Sequence, residues 1–177
     1  LLLGDYGEVP ALLPGVVAAL AQLAGPSPVF AVRGNHDMER GRGGLVASLF
    51  EEHGVILLAN ERYRLPGRGV SLFGLECSWD AQGLVPKEPV GMTLGLCHTP
   101  DALFLMERLG ANVMFAAHTH GGWLRVPGIG PLLVPSRYGR WLDQGWFQHR
   151  EMLLRVTAGM GYAEEGRPGE ALLVTLK

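Results

Sequence analysis

Three polar side chains of different chemistry stand next to one another in the segment Gly34-Asn35-His36-Asp37. Asn35 offers a neutral amide oxygen, His36 an imidazole and Asp37 a carboxylate. Such groups are costly to bury unless they find partners. A plain turn would need only one of them, so this segment predicts a functional site.

Further ligand-type side chains follow apolar runs elsewhere in the chain. Asp5 follows Leu1–Leu3, His98 follows Met92–Cys97, and His118 and His120 follow the apolar run at 112–116. A lone histidine at the end of a strand is usually a structural residue. Four of the six histidines at three separate strand ends are much harder to explain in that way. We therefore predict that these side chains converge on one site.

The mixture of ligand types indicates a metal. Carboxylate, amide and imidazole ligands together suit manganese, iron or zinc, and not calcium. A carboxylate reached from two sides can bridge two ions about 3.5–4 Å apart, an arrangement that hydrolyses phosphate esters. Such ions lower the pKa of a bridging water, so that hydroxide exists near neutral pH. The ligand set therefore predicts metal-dependent hydrolysis of phosphate esters.

The pair His118 and His120 needs a particular backbone to serve one site. In an extended segment, side chains two residues apart lie on one face of the sheet. The following Gly121-Gly122 favours a tight turn that aims both imidazoles at one region. The alternative is a solvated turn without a ligand role.

The elements that position these residues are readable from the apolar pattern. Val29–Val32 predicts a buried strand, and apolar residues at helical spacing predict a helix over Pro10–Ala24. In a right-handed β-α-β unit the two strands lie parallel and their ends are neighbours. Asp5 and Asn35 should therefore lie close together.

The rest of the chain predicts a mixed α/β protein. Further helices are expected at Gly44–His53 and Asp101–Leu109, strands at Val55–Leu58, Met92–Cys97, 112–116, Trp123–Val126, Met152–Thr157 and Ala171–Leu176, an antiparallel pair at Arg62–Leu65 and Val70–Leu75, and a turn over 127–135. The strands outnumber the helices that could cover a single sheet. We therefore expect two mixed sheets.

Composition bounds the class of protein. The chain has 177 residues, a net charge of -2 and no run of lysine or arginine, so we expect one domain over 1–177 and no nucleic-acid-binding surface. Its two cysteines, Cys77 and Cys97, predict free thiols. No apolar run approaches the roughly 20 residues of a membrane span. The chain opens inside a strand without Met, which predicts that a preceding segment is missing.

These residues resemble the calcineurin-like metallophosphoesterases. The family pattern is Asp-x-His, Gly-Asp-x-x-Asp, Gly-Asn-His-Asp/Glu, His and Gly-His-x-His. The later motifs are matched in order by Gly4-Asp5, Gly34-Asn35-His36-Asp37, His98 and His118-Thr119-His120. Residues 118–140 are most similar to a bacterial phosphodiesterase branch of the family. The Asp-x-His motif is absent, Glu8 stands where the second motif ends in Asp, and Ala117 replaces the usual Gly.

The resemblance implies a pair of divalent ions, manganese, iron or zinc, with an activating hydroxide between them. Asp5 would bridge the ions. Asn35, His98 and His118 would complete one metal site. His120 would bind the other ion together with an Asp and a His from the first motif.

The resemblance also implies roles around the substrate. His36 would hydrogen-bond the phosphate and assist the leaving oxygen, with Asp37 orienting its neighbours, so these two form the expected catalytic pair. Arg33 resembles an arginine that grips phosphate, although a plain surface role fits it equally well. Arg137 is a second, weaker candidate for substrate binding.

The fold implied by the resemblance is a four-layer α/β/β/α sandwich that lacks its first strand. The expected substrate is a small-molecule or lipid-linked phosphate ester, a phosphodiester in particular, in a cytoplasmic or membrane-associated bacterial protein. Membrane association would come through the missing amino-terminal segment. Two alternatives stay open, a non-catalytic scaffold with this fold and a short form that holds a single metal.

Overall fold

Short helices and strands are interspersed along the described part of the chain. The computed structural model describes residues 1–76, 91–160 and 169–176. Its helices are α1 (Leu13–Leu23), α2 (Asn35–Met38), α3 (Gly43–Glu52) and α4 (Leu103–Arg108). Its strands are β1 (Val29–Ala31), β2 (Val55–Leu57), β3 (Glu61–Leu65), β4 (Val70–Leu75), β5 (Met92–Cys97), β6 (Val113–Ala116), β7 (Trp123–Val126), β8 (Gly130–Leu133), β9 (Gly145–His149) and β10 (Met152–Val156). Within the described ranges, the helices are too short or too polar to cross a lipid bilayer.

The smaller parallel sheet carries the first predicted ligands. β1 pairs with β2 in parallel, and Leu2 makes a parallel bridge to Ala31 on the other side of β1. The Leu2 amide donates to the Phe30 carbonyl at 2.8 Å, and the Val32 amide donates to the Leu2 carbonyl at 3.0 Å. The predicted parallel arrangement is confirmed, because the segment before Asp5 runs beside β1.

The larger sheet is mixed and carries the predicted histidines. Its order is β3-β4-β5-β6-β10-β9, with parallel pairing from β4 through β10 and antiparallel pairing at both edges. The predicted antiparallel pair of Arg62–Leu65 and Val70–Leu75 is therefore confirmed. His98 follows β5 directly, and His118 lies two residues after β6. Since β5 and β6 are parallel neighbours, their carboxyl ends meet at one edge.

Strand alternation divides the buried apolar side chains into separate clusters. Val29 and Ala31 of β1 pack with residues of α1 and α3, whereas Phe30 packs against β4, β5 and β6. Met114 of β6 faces α4, while Phe115 faces β1. This period-two division places a helix on one side of each sheet and apolar contacts between the two sheets.

Two predicted elements are wrong. The expected turn over 127–135 contains β8, which pairs with β7 as an antiparallel hairpin. The expected strand Ala171–Leu176 forms no strand and is exposed, and the edge beside β10 is occupied by β9 instead. β9 was overlooked because Gly145–His149 has few apolar residues, yet the short turn at Arg150 (φ 51°) brings it back onto β10. The predicted loop at Trp79–Pro89 and Cys77 lie outside the described residues, whereas Cys97 is buried at the end of β5.

Glu170 holds the carboxyl-terminal segment without a strand ladder. Its carboxylate pairs with Arg155, accepts a hydrogen bond from the Thr157 hydroxyl and accepts another from the Ala158 amide at 3.1 Å. Burial acts to raise the pKa of Glu170, but the hydrogen bonds from Thr157 and Ala158 and the charge of Arg155 outweigh it and lower the pKa. The ionised carboxylate is therefore the form that the fold stabilises.

Replacing Glu170 by glutamine should destabilise the chain by roughly 1–3 kcal/mol, because Arg155 is 9% exposed and would lose its counter-charge. The free energy of unfolding in urea measures this. Because the folded pKa is lowered, the contribution is complete above the ordinary glutamate range and is lost as pH falls through the folded pKa. The exposed Glu151→Gln is the control, and equal stabilities of the two variants at pH 7 would contradict the assignment.

Candidate metal centre

Three predicted ligands converge at the carboxyl ends of neighbouring strands. Nε2 of His98 lies 3.0 Å from Oδ2 of Asp5 and 3.1 Å from Nδ1 of His118. The ligand atoms that the three residues offer all lie within 4.8 Å of one another. His98 is 1% exposed, while the other two side chains are partly exposed. The three residues therefore form a half-buried group open to solvent on one side.

The orientation of His98 fits a cation. Its Nδ1 lies 2.7 Å from the Leu3 carbonyl oxygen, which can only accept a hydrogen bond. Nδ1 therefore carries a proton, and Nε2 faces Oδ2 of the Asp5 carboxylate. Two acceptors at 3.0 Å repel each other unless a proton or a metal ion lies between them. A backbone carbonyl that fixes the ring in this way is typical of a metal-binding histidine.

His118 is held in the neutral form that binds metals. Burial lowers its pKa to about 4, and the neighbouring His98 and His120 act in the same direction, against the charges of Asp5 and Asp101. At neutral pH the ring therefore carries no extra proton. A metal ion would not have to displace one in order to bind.

Asp5 is held in the ionised form. Burial acts to raise its pKa, but the hydrogen bond and charge of His98, the backbone amide of His36 and the charge of His36 outweigh it and lower the pKa. An aspartate just after a strand often caps the following helix. The Asp5 carboxylate instead contacts His98 and His36, and α1 begins only at Leu13.

The backbone at three predicted ligands is left-handed. Asp5 has a φ of 59°, His118 of 68° and His120 of 53°. This region costs an L-residue about 1–2 kcal/mol, and such strain concentrates at functional sites. The amide of Thr119 donates to the Ala117 carbonyl at 2.8 Å and that of Gly122 to the Thr119 carbonyl at 2.7 Å, so the backbone turns tightly at both histidines. The predicted tight turn is confirmed, whereas its aiming of both imidazoles at one region stays a prediction.

His120 lies beside the three convergent ligands but outside their group. Its charge acts on the pKa of His118, while its ring is not among the ligand atoms that lie within 4.8 Å of one another. The turn is fixed by the buried Thr119, whose hydroxyl donates to the Asp143 carbonyl at 2.6 Å. The ligand role of His120 stays a prediction.

Asp37 joins the two ligand-bearing loops. It is 1% exposed, and its carboxylate accepts hydrogen bonds from the amides of Asp5 at 2.7 Å, Tyr6 at 3.0 Å and Gly34 at 2.8 Å. Burial raises its pKa, against these amide bonds and in the same direction as the charge of Asp5. Because its polar atoms are used on the backbone, Asp37 positions Asp5.

Asn35 and His36 face the site differently. Oδ1 of Asn35 is a buried atom without a hydrogen-bond partner in the described part of the chain, and an orphaned amide oxygen is a natural metal ligand. The amide of His36 donates to Oδ1 of Asp5 at 3.0 Å. Its side chain is 41% exposed, with Nδ1 3.2 Å from Oε1 of Glu39. The ring of His36 is therefore reachable from solvent.

The two candidate substrate-binding arginines have different surroundings. Nε of Arg33 donates to Oε1 of Glu76 at 2.6 Å, and its Nη1 donates to the Gly43 carbonyl at 2.9 Å. Arg137 is exposed, and its amide donates to the carboxylate of Asp101 at 3.0 Å. In this arrangement Arg33 is engaged in an ion pair. The substrate-binding roles of both residues stay predictions.

Sequence reasoning missed Tyr6. Its hydroxyl donates to the Val32 carbonyl at 2.6 Å and accepts from the Gly4 amide at 3.1 Å, which ties the Asp5 loop to β1. The ring packs edge-on against Phe50 at 4.9 Å, and burial raises the pKa of the phenol. The sequence gives no signal of this role. The Tyr6 hydroxyl bonds to backbone groups, which every residue type carries.

The fold and the site together define a class. The chain is an α/β protein with a candidate metal centre formed by Asp5, His98 and His118. A backbone carbonyl fixes the ring of His98, and burial keeps His118 neutral. Both sheets contribute to that centre.

Comparison with known proteins shows a relationship to phosphoesterases. The chain is 32% identical to phosphodiesterase YaeI of Escherichia coli (strain K12) over 148 residues, which is 80% of this chain and 54% of YaeI. It is 33% identical to the metallophosphoesterase YkuE of Bacillus subtilis (strain 168) over 66 residues, which is 37% of this chain and 23% of YkuE. The chain is related to the metallophosphoesterases, and it spans about half the length of YaeI. No family model matches the chain, and no solved structure matches it.

Proposed function

We propose that this chain hydrolyses phosphate esters, phosphodiesters in particular, with the help of divalent metal ions. The observation that carries the proposal is the convergence of Asp5, His98 and His118 on one position. The relatives add support, because YaeI is named a phosphodiesterase and YkuE a metallophosphoesterase. A small-molecule or lipid-linked phosphate ester is the substrate class that we propose.

The ligand set supports two proposed metal positions. Asn35, His98 and His118 would hold one ion with Asp5, and His120 would contribute to a second ion bridged by Asp5. Divalent ions of the manganese, iron or zinc type would supply a water of lowered pKa and positive charge for the phosphate oxygens. The donor set fits such ions because it combines a carboxylate and an amide oxygen with imidazoles.

The protein groups would act by positioning and by proton transfer. Asp37 holds the backbone of Asp5, and the carbonyl of Leu3 holds the His98 ring, so both ligands are oriented before anything binds. The solvent-reachable ring of His36 would donate a hydrogen bond to a phosphate oxygen and a proton to the departing alkoxide. Restraint of this kind reduces the entropy lost on reaching the transition state.

We also propose the four-layer α/β/β/α arrangement. It is supported by the division of apolar side chains among α1 and α3, the space between the sheets, and α4. The proposed site would lie at the end of the two sheets, since Asp5 follows a segment paired with β1 and His98 follows β5.

The proposed function is tested by hydrolysis of bis(4-nitrophenyl) phosphate with the 177-residue chain. We expect activity with added Mn²⁺, its loss in chelator and its return with the metal. His118→Ala should lower the rate by at least about a hundredfold, because it removes a proposed metal ligand. The neutral His118 ring is the form that can bind a metal ion. His53→Ala, at the end of α3, is the matched control and should keep the wild-type rate.

Metal binding is measured separately by calorimetry with Mn²⁺. Binding that His118→Ala weakens, without hydrolysis of any diester or monoester, would favour the non-catalytic scaffold. Full activity in His118→Ala would remove the proposed metal centre altogether. A stoichiometry of a single ion would favour the one-metal form.

A further inference from the structure

An exposed apolar surface lies immediately after the candidate ligands. The segment 121–142, called the hairpin segment here, contains β7, β8 and the 3₁₀ turn Gly139–Leu142. Its exposed large apolar side chains are Trp123, Leu124, Ile129, Leu132, Leu133 and Trp141. Trp141 is 84% exposed and Leu124 is 67% exposed. So many large apolar side chains within 22 residues mark an interaction surface.

The apolar side chains lie on both faces of the hairpin. Trp123 is paired with Leu133 across the two strands, and Leu132 precedes Leu133 in β8, where successive side chains point to opposite faces. In the described residues β7 and β8 pair with each other and with no other strand. A two-stranded hairpin is only marginally stable in water. Contact with both faces of the hairpin would therefore bury more of its apolar side chains than contact with one face.

The same segment carries concentrated positive charge. Residues 121–142 include Arg125, Arg137 and Arg140 and no acidic residue, although the whole chain has a net charge of -2. A guanidinium nitrogen of Arg140 donates to the Ile129 carbonyl, so its charge lies at the tip of the hairpin. The Arg125 side chain is 44% exposed, with the Asp143 carboxylate at 3.4 Å. Apolar and cationic groups are thus interleaved.

We propose that the hairpin segment binds the surface of an anionic lipid bilayer. Its tryptophan and leucine side chains would enter the boundary between headgroups and acyl chains, where tryptophan is favoured. Its arginines would lie among the lipid phosphates, and each basic residue near an anionic surface adds to the attraction. A lipid surface encloses both faces of an inserted hairpin, whereas a protein partner would leave one face in water. Lipid is therefore the occupant that the geometry favours.

The bound membrane would lie next to the candidate metal centre. β7 begins three residues after His120, and the Arg125 guanidinium donates to the Gly121 carbonyl within that connection. A phosphoester at the membrane surface would be brought close to Asp5, His98 and His118. The binding itself does not depend on the proposed hydrolysis and is measured without it.

Flotation with lipid vesicles tests the proposal. The 177-residue chain should float with vesicles of phosphatidylcholine and phosphatidylglycerol and partition at least about tenfold less onto phosphatidylcholine alone. The double variant Leu132→Ser/Trp141→Ser should lose at least about tenfold in partitioning onto the anionic vesicles, and Arg125→Gln/Arg140→Gln should remove the preference for them. Both substituted apolar side chains are more than half exposed, so the fold should persist.

The matched control is Leu23→Ser/Trp146→Ser, which removes the same two residue types at exposed positions outside the hairpin segment. It should float like the wild type. Circular dichroism and Mn²⁺ binding confirm that each variant is folded. The proposal is overturned if the wild type does not float, if the hairpin variant and the control lose binding equally, or if size exclusion shows that the hairpin segment joins two copies of the chain instead.

Discussion

Replacement of Asp5 by asparagine is expected to weaken Mn²⁺ binding by at least about a hundredfold and to remove metal-dependent hydrolysis. Loss of an outer partner of a metal ligand already costs about 10–100-fold in affinity, and Asp5 is proposed as a direct ligand. The carboxylate is ionised in the fold, because His98 and the His36 amide lower its pKa. Asparagine supplies one oxygen and no charge, so the attraction for a divalent cation falls sharply.

Asparagine is the informative substitution because it preserves the backbone. Asp5 has a φ of 59°, and asparagine is among the few residues that adopt the left-handed region at little cost. Alanine would mix the loss of the ligand with backbone strain. The variant should therefore fold normally, and its defect should appear in Mn²⁺ calorimetry and in kcat.

Asp143→Asn is the control for Asp5→Asn. Asp143 lies near the same turn, because its carbonyl accepts from Thr119, but its carboxylate is paired with Arg125. It should bind Mn²⁺ with wild-type affinity. If Asp5→Asn and Asp143→Asn bind the metal equally well, Asp5 is not a ligand and the bridging role has to be abandoned.

The convergence of Asp5, His98 and His118 could be predicted because it follows from topology. Polar residues came directly after apolar runs, and parallel strands place their carboxyl ends at one edge. The tight turn at His118 was also predictable, because two glycines follow it. Residue type and position were sufficient for these features.

Other features depended on contacts that the sequence does not encode locally. The role of Asp37 arises from amides about 30 positions earlier, at Asp5 and Tyr6. The apolar run at Ala171–Leu176 looked like a strand, but β9 takes the free edge of β10 through a short turn. Local β-propensity cannot decide which of two segments pairs with the edge of a sheet.

The close approach of Gly34 to Asp5 leads to the second large effect. A Cβ at position 34 would overlap Oδ1 of Asp5 and would lie 2.7 Å from both its Cγ and its amide nitrogen. Gly4 is equally close, since a Cβ there would lie 2.7 Å from Nδ1 of His98. The backbone at Gly34 and Gly4 is thus in direct contact with the Asp5 carboxylate and the His98 ring, and a methyl group at either position would displace a ligand side chain.

Gly34→Ala is therefore expected to displace the Asp5 carboxylate from His98 and to weaken Mn²⁺ binding by about a hundredfold or more, comparable with Asp5→Asn. It should also lower the free energy of unfolding by roughly 1–3 kcal/mol, because a buried contact is overpacked. φ at Gly34 is -93°, so an L-residue fits the backbone and the steric contact is the cause. Metal calorimetry and urea denaturation measure the two effects.

Gly15→Ala is the matched control, because a Cβ at Gly15 in α1 would meet nothing within 4 Å. Alanine within a helix is favoured over glycine by about 1 kcal/mol, so this variant should be slightly more stable and should bind Mn²⁺ normally. The two substitutions add the same methyl group, and they should change stability in opposite directions. If Gly34→Ala retains wild-type metal affinity, the Asp5 carboxylate has moved without cost, and a metal centre that depends on its present position is excluded.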